Sequence, residues 1–340
     1  MEFVCYHDWD QLPDSADDLF AQAEKDSIFF SRPWFDNLHR SNPDLCRKIL
    51  LACVIEDGNV LAILPLEMRS KEHWYALTNL YSSLYTLLLD ARRPHEVAEC
   101  LAQGLVRRKF ALLRLDPVAA DDVNLHYFRQ AMESIGVSCQ RRFCFYNWIH
   151  RIRGQSFSEY MQARPSRVRN TIARKARKLE REHGYTIRLF SDGDLQQSLE
   201  DYSTVYNKSW KANEIYGDFI EGLASQLAAK GWLRLAVLYI EGIPVAAQFW
   251  FVVCGRASIF KLVYDEEWRA YSPGSILTRY LMEHVIDLDK VSEIDFLTGN
   301  DSYKQDWMSE RRERCRLSFI NTPEPGKRAG LVSNWLRKFI

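Results

Sequence analysis

The stretch DFLTGNDSYKQDW, Asp295 to Trp307, places two loop carboxylates (Asp301, Asp306), a phenol (Tyr303), a lysine (Lys304) and an indole (Trp307) directly behind a short apolar run, Ile294–Leu297, that carries Asp295. Groups of these kinds move protons and hold charge. The stretch is therefore either a chemical site or a surface loop anchored by Trp307. A second candidate is Ser272-Pro273-Gly274-Ser275, at the start of a helical pattern. Small residues over the unpaired N–H groups of a helix tip suit a phosphate or pyrophosphate, and an ordinary Ser-Pro N-cap is the alternative. Gln248 in "AAQFWF" and Lys261 in "SIFKLVY" interrupt apolar strands. Such polar groups either face a cleft or mark the solvent side of a half-exposed sheet. Trp210-Lys211, ending a helix, could line the same cleft, although packing is the default role of a lone Trp.

Segment 164–181, "RPSRVRNTIARKARKLER", carries eight basic residues and one acidic residue. As a helix it has an apolar stripe of Val168, Ile172, Ala176 and Leu179, with Arg167, Arg174, Lys178 and Arg181 on a solvent face. It is a patch for phosphates or simply a solvated basic face. A tRNA-binding surface calls for aromatic residues among the charges, and this segment has none. No P-loop, G-x-G-x-x-G, G-x-S-x-G, H-E-x-x-H or EF-hand pattern occurs, so Walker-type hydrolysis, dinucleotide redox, serine hydrolysis and zinc proteolysis lose support.

The elements that must position these residues read as two similar halves. "LLACVIEDGNVLAILPLEM" is a hairpin turning at Asp57-Gly58-Asn59. "YSSLYTLLL" reads as a strand, 95–108 as a helix and "ALLRLDP" as a strand. "DDVNLHYFRQAMESIG" reads as a helix that starts on Asp carboxylates. "VSCQRRFCFYNWIH" then leads into the second half. There "YTIRLF" is a strand, helices follow at about 194–211 and 216–230, and "WLRLAVLYIEGIPVAAQFWFVV" is a second hairpin. "ASIFKLVYD" is a strand, and 273–288 is a helix with Ser272 as N-cap and Pro273 at its first position. "EIDFL" and "CRLSFIN" are strands, and "GLVSNWLRKFI" is a short terminal helix. Each half thus predicts meandering strands, a helix, and a strand that cannot close by a simple hairpin, which gives a mixed sheet flanked by helices.

At 340 residues the chain is long enough for two domains, and 47% hydrophobic and 26% charged residues supply more than one core. Forty-five basic residues balance forty-five acidic ones, so any nucleic-acid or membrane partner must be met by a local patch. The eight scattered cysteines form no C-x-x-C pair and read as buried free thiols of a reducing compartment. The N-terminus lacks signal-peptide features and no apolar run is long enough to span a bilayer, so a cytoplasmic protein is expected, with no metal.

The second half resembles the GNAT-type acyltransferase domain of the CelD/BcsL group, which is related to the FemABX aminoacyl transferases. The resemblance rests on Ala246-Ala247-Gln248, Tyr264-Asp265, Ser272-Pro273-Gly274, Asp295-Phe296, Gly299, Tyr303-Lys304 and Trp307, with "SRVRNTIARKARKLE" and "SWK" upstream. It covers roughly 150–320, and the first half fits only loosely. It implies an α/β (α+β) chain of tandem GNAT-like domains, 1–148 (degenerate) and 149–322 (catalytic), followed by a tail helix at 323–340. It also implies N-acyl transfer from acyl-CoA or acetyl-CoA to a small-molecule or sugar-linked amine, as in envelope or exopolysaccharide synthesis. The alternatives are aminoacyl-tRNA-dependent transfer, as in FemABX proteins, and a non-catalytic module of a polysaccharide machine. The usual Arg/Gln-x-x-Gly-x-Gly/Ala loop is replaced by "YSPGS".

On that reading Lys304 stabilises the oxyanion or orients an acidic substrate. Asp301 or Asp295 accepts the amine proton, Tyr303 protonates the leaving group, and Trp307 walls the cleft. Ser272, Gly274 and Ser275 hold the donor, while Gln248, Lys261, Trp210 and Arg167 contact substrate.

Overall fold

The computed structural model describes residues 1–42, 48–190, 194–212 and 214–321. The expected tail helix at 323–340 lies outside them. The chain divides into two compact units. One comprises Met1–Glu24, Phe29–Cys144 and the described residues from Arg314 on, and the other comprises Lys25–Ile28 and Phe145–Glu313.

The amino-terminal unit holds β1 (Glu2–Tyr6), α1 (Ala16–Glu24), α2 (Arg32–Arg40), β2 (Ile49–Glu56), β3 (Asn59–Met68), β4 (His73–Ala76), β5 (Leu88–Leu89), α3 (Pro94–Arg107), β6 (Leu112–Ala119) and α4 (Val123–Ser134). Its strands lie in the order β1-β2-β3-β4-β6-β13, where β13 is Glu310–Ile320, with β5 beside β3. The expected hairpin is present: Asp57 and Gly58 both take positive φ (50° and 79°), the turn that matches the twist of paired strands. Asp122 caps α4 by accepting from the Leu125 N–H at 2.9 Å. Leu113, Leu115, Leu317 and Phe319 pack with Val97, Leu101 and Phe128 from α3 and α4.

The carboxyl-terminal unit contains the end of β7 (Ser138–Arg151), α5 (Phe157–Gln162), α6 (Ser166–Glu182), β8 (Thr186–Phe190), α7 (Leu195–Asn207), α8 (Gly217–Ala229), β9 (Leu233–Ile240), β10 (Ile243–Val253), β11 (Arg256–Tyr264), α9 (Pro273–Glu283), β12 (Glu293–Thr298), α10 (Lys304–Trp307) and the start of β13 (Glu310–Ile320). The strand order is β7-β12-β11-β10-β9-β8. Strand alternation divides the core. Ala236, Leu238, Ala246 and Trp250 join Ile276, Leu277 and Leu281 of α9 and Ile172 and Leu179 of α6 on one face. α7 lies against β10, and the residues of β9 and β10 that alternate with those, Val237, Phe249 and Phe251, are buried too.

In each unit one strand pair is parallel, joined through a helix: β4 with β6, and β11 with β12. Both pairings are short. β4 meets β6 at His73↔Leu112, Trp74↔Leu113 and Tyr75↔Arg114 and then stops. Beyond it, Tyr85 forms a parallel bridge to Val118, is 1% exposed and donates its hydroxyl to the Pro65 carbonyl at 2.5 Å. "YSSLYTLLL" is therefore mostly irregular and fills the space beside β6, with only Leu88–Leu89 as strand. A buried Tyr needs a partner for its hydroxyl, and that requirement bends the segment away from the extended form its composition suggests. Among the described cysteines all seven are free. Cys53 and Cys315 are buried, whereas Cys254 is exposed in a turn rather than packed with the apolar run before it.

Candidate active site

β11 and β12 pair only at Arg256↔Glu293, Ala257↔Ile294 and Ser258↔Asp295. From Ile259 onward β11 still follows β10, whereas β12 follows β7. Two irregularities part them. The register of β10 with β11 shifts between Phe249 and Trp250, and that of β12 with β7 shifts between Asp295 and Thr298. Bulges sharpen local twist, so the outer halves of the two strands diverge. The result is a wedge with β11 on one side and the tip of β12 on the other.

The β12 tip is held by its own polar groups. Asp295 is 5% exposed. It accepts from Asn147 Nδ2 at 2.6 Å, from the Leu297 N–H at 2.7 Å and from Arg312 at 2.8 Å. The bond to Leu297 supports that residue at φ 49°, a conformation a branched side chain avoids without such help. Lys304 is also buried. Its ammonium donates to the carbonyls of Phe296 (2.9 Å) and Thr298 (2.5 Å), with Asp301 at 3.7 Å. Burial pulls its pKa down, against the pull of Asp301 and Asp295. Gly299, at φ 108°, passes directly over it, and a Cβ there would sit 3.2 Å from the Asp301 carboxylate and 3.5 Å from Lys304 Nζ. Tyr303 exposes 45% of its surface, yet desolvation and the Asp301 charge push its phenol up to about 12, so it stays protonated at neutral pH.

The other side of the wedge is a set of stacked contacts. Gln248 is wholly buried. Its amide donates to Gly274 O (2.8 Å) and Thr278 Oγ1 (2.7 Å) and accepts from Trp250 Nε1 (2.8 Å). It fastens β10 to the first turn of α9. A Cβ on Gly274 would lie 3.2 Å from the Tyr264 ring, whose other neighbour is the half-exposed Trp210 at 4.6 Å between centroids. Lys261 bonds Glu214 at 2.9 and 3.1 Å. Burial lowers its pKa while Glu214 raises it.

The expected residues therefore fall into groups. Asp295, Asp301, Tyr303 and Lys304 share the β12 tip. Gln248, Gly274 and Trp210 are linked through Tyr264 and α9, and Lys261 lies on β11 beside them. Trp307 is 5% exposed and packs in the core, while its carbonyl accepts from Tyr160 (2.7 Å) and Arg164 (2.9 Å). Arg167 is ion-paired with Asp306 at 2.6 Å, tying α6 to α10. Ser272 occupies the N-cap of α9 at φ 56° without a side-chain cap bond.

A donor diphosphate on this turn needs several free N–H groups. Here the Ser272 N–H bonds Arg269 O, the Ser275 and Ile276 N–H groups both bond Ser272 O, and Pro273 has none. That leaves only the Gly274 N–H without an acceptor among the described residues. The preceding residues form a 3₁₀ turn, Glu266–Tyr271, clasped by α6 through Lys175 to Ala270 O and His183 to Tyr271. The turn thus offers a coenzyme A diphosphate one free backbone N–H among the described residues.

The sequence groups Lys211 with Trp210, but its electrostatic neighbours are Lys261, Glu214, Asp301 and Lys304, distant in the chain. Among the described residues no cluster of three or more His, Cys, Asp or Glu could hold a metal, and no helix is long and apolar enough to cross a membrane.

Residues 166–305 match the family described as acetyltransferase (GNAT) domain. No curated protein sequence matches the chain. Among solved structures, FemX is similar at 12% identity and TM-score 0.63, over 94% of this chain and 98% of that one. L-PGS from Bacillus licheniformis is similar at 13% and 0.54, over 89% and 95%. A tandem GNAT protein from the clavulanic acid biosynthesis pathway is similar at 13% and 0.52, over 95% and 99%. These likenesses carry the fold, a tandem GNAT-like α/β arrangement of mostly antiparallel strands flanked by helices. The match gives residues 166–305 a GNAT acetyltransferase domain, which supports a transferase.

Proposed function

From a chain that carries a GNAT-type transferase domain, we propose an N-acyltransferase whose acyl donor enters the wedge between β11 and β12 and whose acceptor is a small or sugar-linked amine. The observation that carries this is the three-residue parallel pairing followed by divergence, with Tyr303 and Asp301 at the tip of one strand. In this reading the neutral amine attacks the donor carbonyl, Asp301 takes the proton released by the amine nitrogen, and the Tyr303 phenol gives its proton to the leaving atom. Lys304 acts through the backbone: with two of its three donors engaged by Phe296 O and Thr298 O, it fixes the tip that presents Tyr303. Gln248 holds the opposite wall. The narrower likeness to the CelD/BcsL group, a role in envelope polysaccharide synthesis and a cytoplasmic location belong to this proposal.

The family description supports an acyl-CoA donor. A second reading, an aminoacyl ester on RNA, is favoured by the engaged N–H groups of the α9 turn, which give a coenzyme diphosphate little to bind. Mass spectrometry of amine products formed from an acyl-CoA series and from aminoacylated RNA, with glucosamine, UDP-amino sugars and lysine as acceptors, separates the two. Product from acyl-CoA alone supports the first, and product from RNA alone supports the second. No amide from either donor would refute acyl transfer in this wedge.

A further inference from the structure

The chain around Lys211 is clamped to the outer half of β11, the half that β12 has left. Lys208 pairs with Asp265 at 3.4 Å, Trp210 stacks on Tyr264, and Glu214 pairs with Lys261 at 2.9 Å. The other lysines of this region have acceptors: Lys208 and Lys261 have their carboxylates, and Lys304 has two carbonyls. The Lys211 ammonium has none among the described residues and lies 5.9 Å from the centroid of the Trp210 ring. The charges that act on its ammonium belong to both sides of the wedge: Lys261 on β11 with its partner Glu214, and Asp301 and Lys304 of the β12 tip. A partly buried cation without a partner beside such a cleft is costly unless something anionic visits it.

We propose that Lys211 is a further catalytic residue of the transfer described above, the cation that meets the negative charge forming on the acyl oxygen. This rests on the acyl-transfer reading of the wedge. As the amine lone pair forms the C–N bond, the carbonyl π pair moves onto oxygen beside the Lys211 ammonium. It returns as the bond to the leaving sulfur or oxygen breaks. The proton lost by the amine balances the one gained by the leaving atom, and Lys211 keeps its own. Two of the three Lys304 donors hold the Phe296 and Thr298 carbonyls, and the Asp301 carboxylate lies 3.7 Å from the same ammonium.

Burial, the largest effect, and Lys261 lower the Lys211 pKa to about 8, while Glu214 and Asp301 partly oppose them. The active form is the ammonium, so turnover should fall as pH rises through about 8. An arginine stays charged far above that.

The test is the pH profile of kcat for wild type, Lys211→Met and Lys211→Arg, using whichever donor gives product and with folding checked by circular dichroism. Lys211→Met should lose about a hundredfold in kcat, with the acceptor KM changed less than about threefold. Lys211→Arg should retain much of the activity and lose the fall near pH 8. An active wild type with Lys211→Met within about twofold of it, or an unchanged basic limb in Lys211→Arg, overturns the assignment alone. A wild type inert toward both donor classes overturns the acyl-transfer reading and the assignment with it.

Discussion

Replacing Gln248 with methionine tests whether this amide binds substrate or holds the fold. The side chain is 0% exposed and makes hydrogen bonds of 2.8, 2.7 and 2.8 Å. Methionine fills a similar volume. Gly274 O keeps a second donor, since Thr278 Oγ1 already lies 2.9 Å away. The Trp250 indole N–H has no such reserve and is left unpaired inside the core, at a cost of about 2 kcal/mol. The two bonds to α9 add about 1 kcal/mol net, for a total of about 3. Native-state hydrogen exchange of the β10 amides reads this opening energy without assuming one transition for two units. Trp250→Phe with Gln248→Met should be less costly than the sum of the single changes by about 2 kcal/mol, because neither polar group is then stranded. A Gln248→Met protein of native stability whose only defect is a raised KM would refute the reasoning and return the amide to the substrate.

Asp295→Asn removes a buried charge that pairs with Arg312 and turns one acceptor into a donor facing Asn147 or Arg312. It should cost about 3 kcal/mol and raise exchange of amides from Leu297 through Lys304 ahead of the rest of the unit. Lys304→Met strands the Phe296 and Thr298 carbonyls and should destabilise by about 2–4 kcal/mol in urea titrations, with activity lost alongside the tip. Tyr303→Phe should fold normally and lower kcat about ten- to a hundredfold with little change in KM if the phenol protonates the leaving atom. Folding lowers the Lys211 pKa from 10.5 to about 8, so between those values the unfolded chain binds a proton that the native chain lacks. Wild-type stability should therefore rise relative to Lys211→Met between pH 8 and 10.5 and stay at a constant offset below 8, as urea midpoints at pH 7 and 9.5 will show.

The hairpins, the α9 pattern and the β12 tip were legible because each depends on neighbours in sequence: Asp57-Gly58 needs positive φ, and Ser272-Pro273 opens a helix. What resisted reading depends on contacts across the sheet. Gln248 looks from sequence like a group facing a cleft, and only the Trp250 indole and the α9 turn reveal that its bonds are internal. Trp307 stands among polar residues, yet its ring is 5% exposed and belongs to the core. Lys304 is a cation next to a Tyr in sequence, and its carbonyl partners appear only once β12 curls over it. The α9 tip promises free N–H groups, but the carbonyl of the left-handed Ser272 takes the Ser275 N–H as well as the Ile276 N–H of the first helical bond. Lys211 gains its character from charges that sequence spacing cannot bring together.

The bridge from Tyr85 to Val118 has a consequence for stoichiometry. The amino-terminal unit has a short parallel pair like that of the carboxyl-terminal one, but there the buried Tyr85 bridges to the strand beyond the pairing. Titration with a donor should therefore saturate at one equivalent per polypeptide. Trimming Tyr85 to alanine should hollow that unit without adding a second equivalent of bound donor.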